Sequence, residues 1–218
     1  MQKFTIVAGI AAPLPETNID TDVIIPARFL LLPDKKGLGK KLFHERRHRS
    51  GEEKVEPFVL DTPPYDDSRI LVAGKAFGTG SSREQAVWAL ADFGIRCVIA
   101  PSFGEIFFAN CFKNGVLPIV LDGAEHAAIL AEAAAARPIR IDLEASSIAL
   151  QDGRKIGFEV DAHRKRSLLL GLDEIDAILK DDGQAIAAFE ASQRAAKPWL
   201  YLEREQLSHF DDLERELD

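Results

Sequence analysis

The sequence predicts an α/β protein with a parallel strand–helix–strand core and a helical addition at its C-terminal end. Three observations predict it. From residue 69 onward, short apolar runs alternate with segments of helical periodicity, the order that pairs strands in parallel through right-handed crossovers. The first two helical segments close on Gly94 and on Asn114-Gly115, residues that end helices because they tolerate the left-handed conformation. Beyond residue 162 the strand-like runs stop, and residues 162–196 read as helices.

Each element follows in order. Residues 1–32 hold two apolar stretches, FTIVAGIAA and VIIPARFLLL, separated by the polar NIDTD. The first reads as a strand; without a basic leader, and with Pro13 and Pro15 close behind, it is not a secretion signal. Residues 33–69 are rich in Gly, Lys, Arg, Asp and Pro and read as a long excursion, functional or mobile by its length. RILVAG (69–74) is a buried strand. SREQAVWALADF (82–93) carries apolar residues at positions 86, 87, 90 and 91, the helical spacing. IRCVIA (95–100) and VLPIVL (116–121) are strands on either side of a second helix, SFGEIFFANCFKNG (102–115). An alanine-rich helix then runs to Pro138, and IRIDL, SIAL and KIGFEV are short strands, the last two joined by a turn at Asp152-Gly153. The charged tail, residues 199–218, reads as a surface helix.

Composition narrows the function. A chain of 218 residues can bury a full core as one domain with an appendage. A net charge of −8 argues against a nucleic-acid surface, with KKLFHERRHR (40–49) a local basic exception. Two cysteines are too few for a disulfide framework and fit a reducing compartment. No apolar run approaches membrane-spanning length, so the expected location is the cytoplasm.

The chemistry concentrates in GTGSSREQA (78–86). Ser81 stands three residues before Glu84, the capping-box spacing, and Ser102 with Glu105 repeats it. Spacing alone therefore favours a purely structural serine. The glycines point elsewhere: Gly78 and Gly80 let the backbone approach a ligand and form a nest of N–H groups. The following helix aims its positive end at the same place, and Arg83 adds a fork suited to carboxylate or phosphate. The spacing fits neither a P-loop, nor a dinucleotide fingerprint, nor a hydrolase elbow.

Residues 74–121, GKAFGTGSSREQAVWALADFGIRCVIAPSFGEIFFANCFKNGVLPIVL, strongly resemble the small subunits of 3-isopropylmalate dehydratases in the aconitase superfamily. NIDTDVIIPARFL (18–30) and KGLGKKLF (36–43) resemble that family's N-terminal motifs, and the likeness covers roughly residues 1–170. The resemblance implies a swivelling β/β/α domain over residues 1–171, with residues 172–218 a helical extension on or near it. It implies a separate larger chain carrying a 4Fe–4S cluster with one iron open to substrate, and no cofactor on this chain. The pair would move a hydroxyl between adjacent carbons of a 2-hydroxy diacid by dehydration and rehydration, without nucleic acid or membrane.

Carried onto this sequence, the resemblance makes Ser81 the base that removes the carbon-bound proton. Ser82, Arg83 and Gly80 would hold substrate, and Asp22, Asp20 and Arg28 would support the site. A helix N-terminus and an adjacent guanidinium favour a serine alkoxide, which agrees with that role. The specificity position falls at Leu31 in FLLL (29–32), where an apolar residue suits an isopropyl group; use of these leucines in the core is the alternative. Ala76 and Gln85 depart from the family's usual Asn and His, which leaves open a paralogue acting on a related diacid such as citramalate.

HERRH (44–48) matches the His-Glu-x-x-His pattern of zinc hydrolases, a different function class. Its Lys- and Arg-rich surroundings and the lack of a convincing third ligand argue against a metal. Cys97 and Cys111 lack cluster or zinc spacing and read as buried apolar fillers.

Overall fold

A computed structural model of the chain describes residues 1–31, 35–48 and 57–202. It divides into two compact units, Met1–Asp173 and Glu174–Asp218.

In the first unit the N-terminal apolar stretch makes two strands rather than one, β1 (Ile6–Ile10) and β2 (Ala12–Leu14). A single turn of helix follows, α1 (Thr21–Ile24), and then 3-10 turns at Ala27–Phe29 and Leu38–Lys41. After the short α2 (His44–Arg47) and a 3-10 turn at Val59–Asp61, the predicted alternation begins. It runs β3 (Ile70–Ala73), α3 (Glu84–Phe93), β4 (Cys97–Ala100), α4 (Glu105–Lys113), β5 (Leu117–Val120) and α5 (Gly123–Ala134). The strands β6 (Pro138–Asp142), β7 (Ser147–Ala149) and β8 (Lys155–Gly157) and helix α6 (Ala162–Leu170) complete the unit.

Strands β2, β3, β4 and β5 form a parallel sheet in that order, and β1, β6, β7 and β8 an antiparallel one. The two sheets lie face to face because β3 and β4 are apolar on both sides. Ile70, Val72, Cys97 and Ile99 join Ile139, Ile141, Ile148 and Ile156 of the antiparallel sheet in one core. Their alternating neighbours Leu71, Ala73, Val98 and Ala100 join Ala86, Val87 and Leu90 of α3 and Phe107 of α4 in a second core. Burial on both faces is what a parallel sheet requires. The result is the β/β/α layering that the resemblance implies.

Both capping-box readings need correction. Helix α3 starts at Glu84 with Arg83 as its N-cap, and α4 starts at Glu105 with Gly104 as its N-cap; no side chain caps either helix. The cause is that the two strand–helix connections bond to each other. Phe77 N donates to Ser102 O, Gly104 N to Phe77 O, and Ala76 N to Ser102 Oγ at 3.0 Å. Ser102 is thereby turned away from its helix. Glu84 Oε1 instead accepts from Trp88 Nε1 at 3.2 Å and Asn114 Nδ2 at 2.8 Å.

The described part of the excursion is packed onto α3. Leu38, Leu42 and Phe43 are fully buried, and the Asp92 carboxylate accepts from the amides of Gly37 and Gly39 at 2.9 and 2.8 Å. A Cβ on Gly39 would stand 2.5 Å from Phe93 N, so only glycine fits. Residues 33, 34 and 49–56 of that stretch lie outside the described residues.

The second unit contains α7 (Glu174–Ala196) and, where a surface helix was expected, a 3-10 turn at Pro198–Tyr201. Arg194 stacks over the Tyr201 ring at 5.0 Å. The remainder of the expected tail helix, from residue 203, lies outside the described residues.

Candidate active site

The site forms where ligands collect in parallel sheets, beyond the C-terminal ends of the strands. Ten residues, 74–83, separate β3 from α3, and only four, 101–104, separate β4 from α4. Gly78 sits at φ 71° and Gly80 at φ 95°, both in the left-handed region. A Cβ on Gly78 would lie 2.2 Å from the Phe107 ring, and one on Gly104 would lie 2.3 Å from Gly78 O. These glycines let two connections and a phenyl ring share one small volume. The outcome is an open cleft of about 200 Å³, lined by residues 78–83 on one side, Glu105, Ile106 and Phe107 on the other, and Thr21 beneath.

Ser81 and Ser82 are exposed in this cleft, and neither hydroxyl has a hydrogen-bond partner among the described residues. Arg83 is held differently. Its side chain is only 16% exposed, and Nη1 donates to Oδ1 of Asp22, which is 55% exposed. Asp22 lies on α1, one residue after the start of a helix that Asp20 caps: Asp20 Oδ1 accepts from Val23 N at 2.8 Å. Asp20 also pairs in a parallel bridge with Thr79. Gly80 leaves room for this approach, since its Cβ would stand 3.3 Å from Asp20 Cβ. The structure therefore brings together Asp20, Asp22, Gly80, Ser81, Ser82 and Arg83.

It does not bring Leu31 or Arg28 to the cleft. Leu31 is 90% exposed, while its neighbours Phe29 and Leu30 pack against the helix-side core. Core use thus holds for the neighbours and not for Leu31, and Leu32 lies outside the described residues. Arg28 pairs with Glu45 and stacks on the Phe29 ring at 4.7 Å.

Among the lining residues that sequence reasoning missed, Ile106, Glu105 and Thr21 are instructive. Ile106 is 53% exposed on the first turn of α4, off the stripe of Phe107, Cys111 and Phe112 that faces inward. That displacement from the helical period was a readable signal. Glu105 is exposed beside it, and its spacing from Ser102 drew it into the capping reading. Thr21 is only 2% exposed, and no spacing pointed to it.

The His-Glu-x-x-His match does not build a metal site. His44 and His48 stack with ring centroids 4.6 Å apart and planes 22° apart, so their in-plane lone pairs run side by side rather than converging. Among the described residues no group of three or more metal-ligating side chains occurs. Burial, then His48, Arg28 and Lys41, lowers the His44 pKa. The arginines of the motif serve the loop: Arg47 holds Asp61 with two bonds of 2.8 and 2.6 Å, and Arg46 pairs with Glu16 at 2.6 Å. Cys97 and Cys111 sit in different cores, fully buried, with their thiols pushed well up by burial. Two cysteines, each buried in a different core, do not supply the ligand set of an iron–sulfur cluster.

Residues 1–124 match the aconitase C-terminal domain family, and residues 181–202 match the C-terminal domain of the 3-isopropylmalate dehydratase small subunit. The chain is 51% identical to the 3-isopropylmalate dehydratase small subunit of Paramagnetospirillum magneticum, across 92% of this chain and 100% of that protein. The chain belongs to the 3-isopropylmalate dehydratase small-subunit family. Its counterpart in Dinoroseobacter shibae is 53% identical over the same shares. A crystal structure of 3-isopropylmalate dehydratase from Methanocaldococcus jannaschii superposes with a TM-score of 0.60 at 28% identity, covering 85% of this chain and 99% of that one. Small-subunit membership implies a large-subunit partner. Among the described residues of this family member, no helix is long and apolar enough to cross a membrane.

Proposed function

We propose that this chain is the small subunit of a two-chain hydro-lyase that interconverts 2-isopropylmalate and 3-isopropylmalate in leucine biosynthesis. The observation that carries the reading is the Ser81 hydroxyl. It stands unpartnered among the described residues at the tip of a Gly-x-Gly turn, beside an anchored guanidinium and before a helix whose first turn no side chain caps.

In this reading Ser81 Oγ takes the carbon-bound proton while hydroxide leaves the adjacent carbon, giving an unsaturated diacid. Return of the proton and of hydroxide, each to the carbon the other left, yields the isomer. Charge developing on the adjacent carboxylate meets Arg83, Ser82 and the positive end of α3, donors already oriented for it. Asp22 holds Arg83 by one nitrogen, which leaves the rest of the fork for a substrate carboxylate.

The cleft is open, and an alkoxide in open water gains little from such donors; a partner that closes the cleft and excludes water completes the site. The large subunit is that partner. It carries the 4Fe–4S cluster, for which this chain's cysteines are unsuited, and no step assigned to this chain passes through it. Exposed Ile106 in the cleft supplies apolar surface toward the isopropyl group, and exposed Leu31 supplies it toward the partner. Two buried thiols and a net charge of −8 are in keeping with work in the cytoplasm on a small diacid.

The test is reconstitution. The purified chain, alone and mixed anaerobically with a large subunit of the family, is given 2-isopropylmalate and, in parallel, citramalate. Turnover of isopropylmalate in the mixture alone supports the proposal. Turnover by the isolated chain overturns the two-chain reading, and turnover of citramalate alone moves the protein to a related diacid.

A further inference from the structure

We infer that Thr21 is a positioning residue for Ser81, an inference that rests on the proposed role of Ser81. Thr21 is buried, yet it lies 60 residues from the serine in sequence, and its polar atoms are directed at the serine's loop. Its hydroxyl donates to the Ser81 carbonyl at 2.9 Å, and its amide donates to Thr79 O at 2.9 Å. The two bonds grip residues 79 and 81 on either side of Gly80. Gly80 itself makes the grip feasible: it adopts φ 95°, a backbone conformation that side-chain-bearing residues rarely take.

The consequence follows from what Ser81 lacks. Its side chain has no partner among the described residues, so the direction of Oγ is set by the backbone that bears it. That backbone has left β3 and has not yet entered α3. Of the described hydrogen bonds, the one from Thr21 Oγ1 is the side-chain bond that holds the Ser81 peptide. Thr21 also begins the helix whose next residue, Asp22, holds Arg83. A single turn of helix thus sets both the base and the carboxylate-binding fork. With its hydroxyl given to the Ser81 carbonyl, Thr21 acts through Ser81.

The experiment compares Thr21→Val, which keeps the branched shape and removes the donor, with Thr21→Ser, which keeps the donor. Two readouts are taken: amide hydrogen exchange of residues 80–83 in the isolated chain, and kcat and KM of the reconstituted two-chain enzyme. Thermal unfolding verifies that both variants fold. The expected result for Thr21→Val is faster exchange at residues 80–83 and a kcat lower on the order of 10- to 100-fold, with KM within about two-fold. Thr21→Ser stays near the wild type in both. An unchanged kcat in Thr21→Val overturns the inference, as does a Thr21→Ser variant equally impaired, or a loss confined to KM. If the wild-type mixture does not act on isopropylmalate, the proposed function fails separately. The exchange comparison then still decides whether Thr21 holds the turn.

Discussion

Ser81 and Ser102 have the same local sequence logic and opposite fates. Each lies three residues before a glutamate, each precedes a helix that follows a parallel strand, and neither caps that helix. Ser102 is half-buried and its hydroxyl accepts from Ala76 N, binding one strand–helix connection to the other. Ser81 is exposed and its hydroxyl has no partner among the described residues. The difference shows how a fold separates structure from chemistry. The serine that holds the loops together is satisfied internally, and the serine that those loops display is left open. A polar group spent on packing cannot also meet a substrate.

Substitutions test this contrast directly. The largest expected effect is that of Ser81→Ala on the reconstituted enzyme, a loss of about 10² to 10⁴-fold in kcat, the range for removing a positioned acid–base group. Next comes Gly104→Ala, whose new Cβ would meet Gly78 O at 2.3 Å. Displacing that backbone is expected to destabilise the chain by about 1–3 kcal/mol, read as a lower urea midpoint with unchanged slope. Ser102→Ala leaves Ala76 N without its acceptor and is expected to cost about 1 kcal/mol in the same experiment. The smallest effect belongs to Leu31→Ala. At 90% exposure its loss should shift the isolated chain's stability by less than about 0.5 kcal/mol. A larger shift would mean that Leu31 packs on this chain rather than facing outward.

Legibility in the sequence followed the range of the interactions. The β3–α3–β4–α4–β5 run was readable because each element buries a periodic face and each helix ends on a residue suited to stopping it, as Gly94 does at φ 115°. The β7–β8 hairpin was readable from its turn at Asp152-Gly153, but the place of β1 in the antiparallel sheet was not, because β1 pairs with β6 more than 120 residues away and nothing local in IVAGI names its partner. The split between β1 and β2 was hidden for the same reason. At the site, Ser81, Ser82 and Arg83 were readable from the glycines and from the family resemblance. The helix starts were misplaced by two or three residues because bonds between the two loops outcompete capping. Thr21 escaped notice because its work is a contact across the fold, and Leu31 was assigned a pocket that this chain alone does not form.

The most direct measurement sets Ser81→Ala and Ser102→Ala side by side, with kcat taken after reconstitution with the large subunit and urea midpoints taken on the isolated chains. Ser81→Ala is expected to lose turnover with its midpoint unchanged, and Ser102→Ala to lose stability while the folded enzyme keeps turning over. Retained turnover in Ser81→Ala, or a stability loss there equal to that of Ser102→Ala, would contradict that expectation, because the exposed serine would then be one more structural residue.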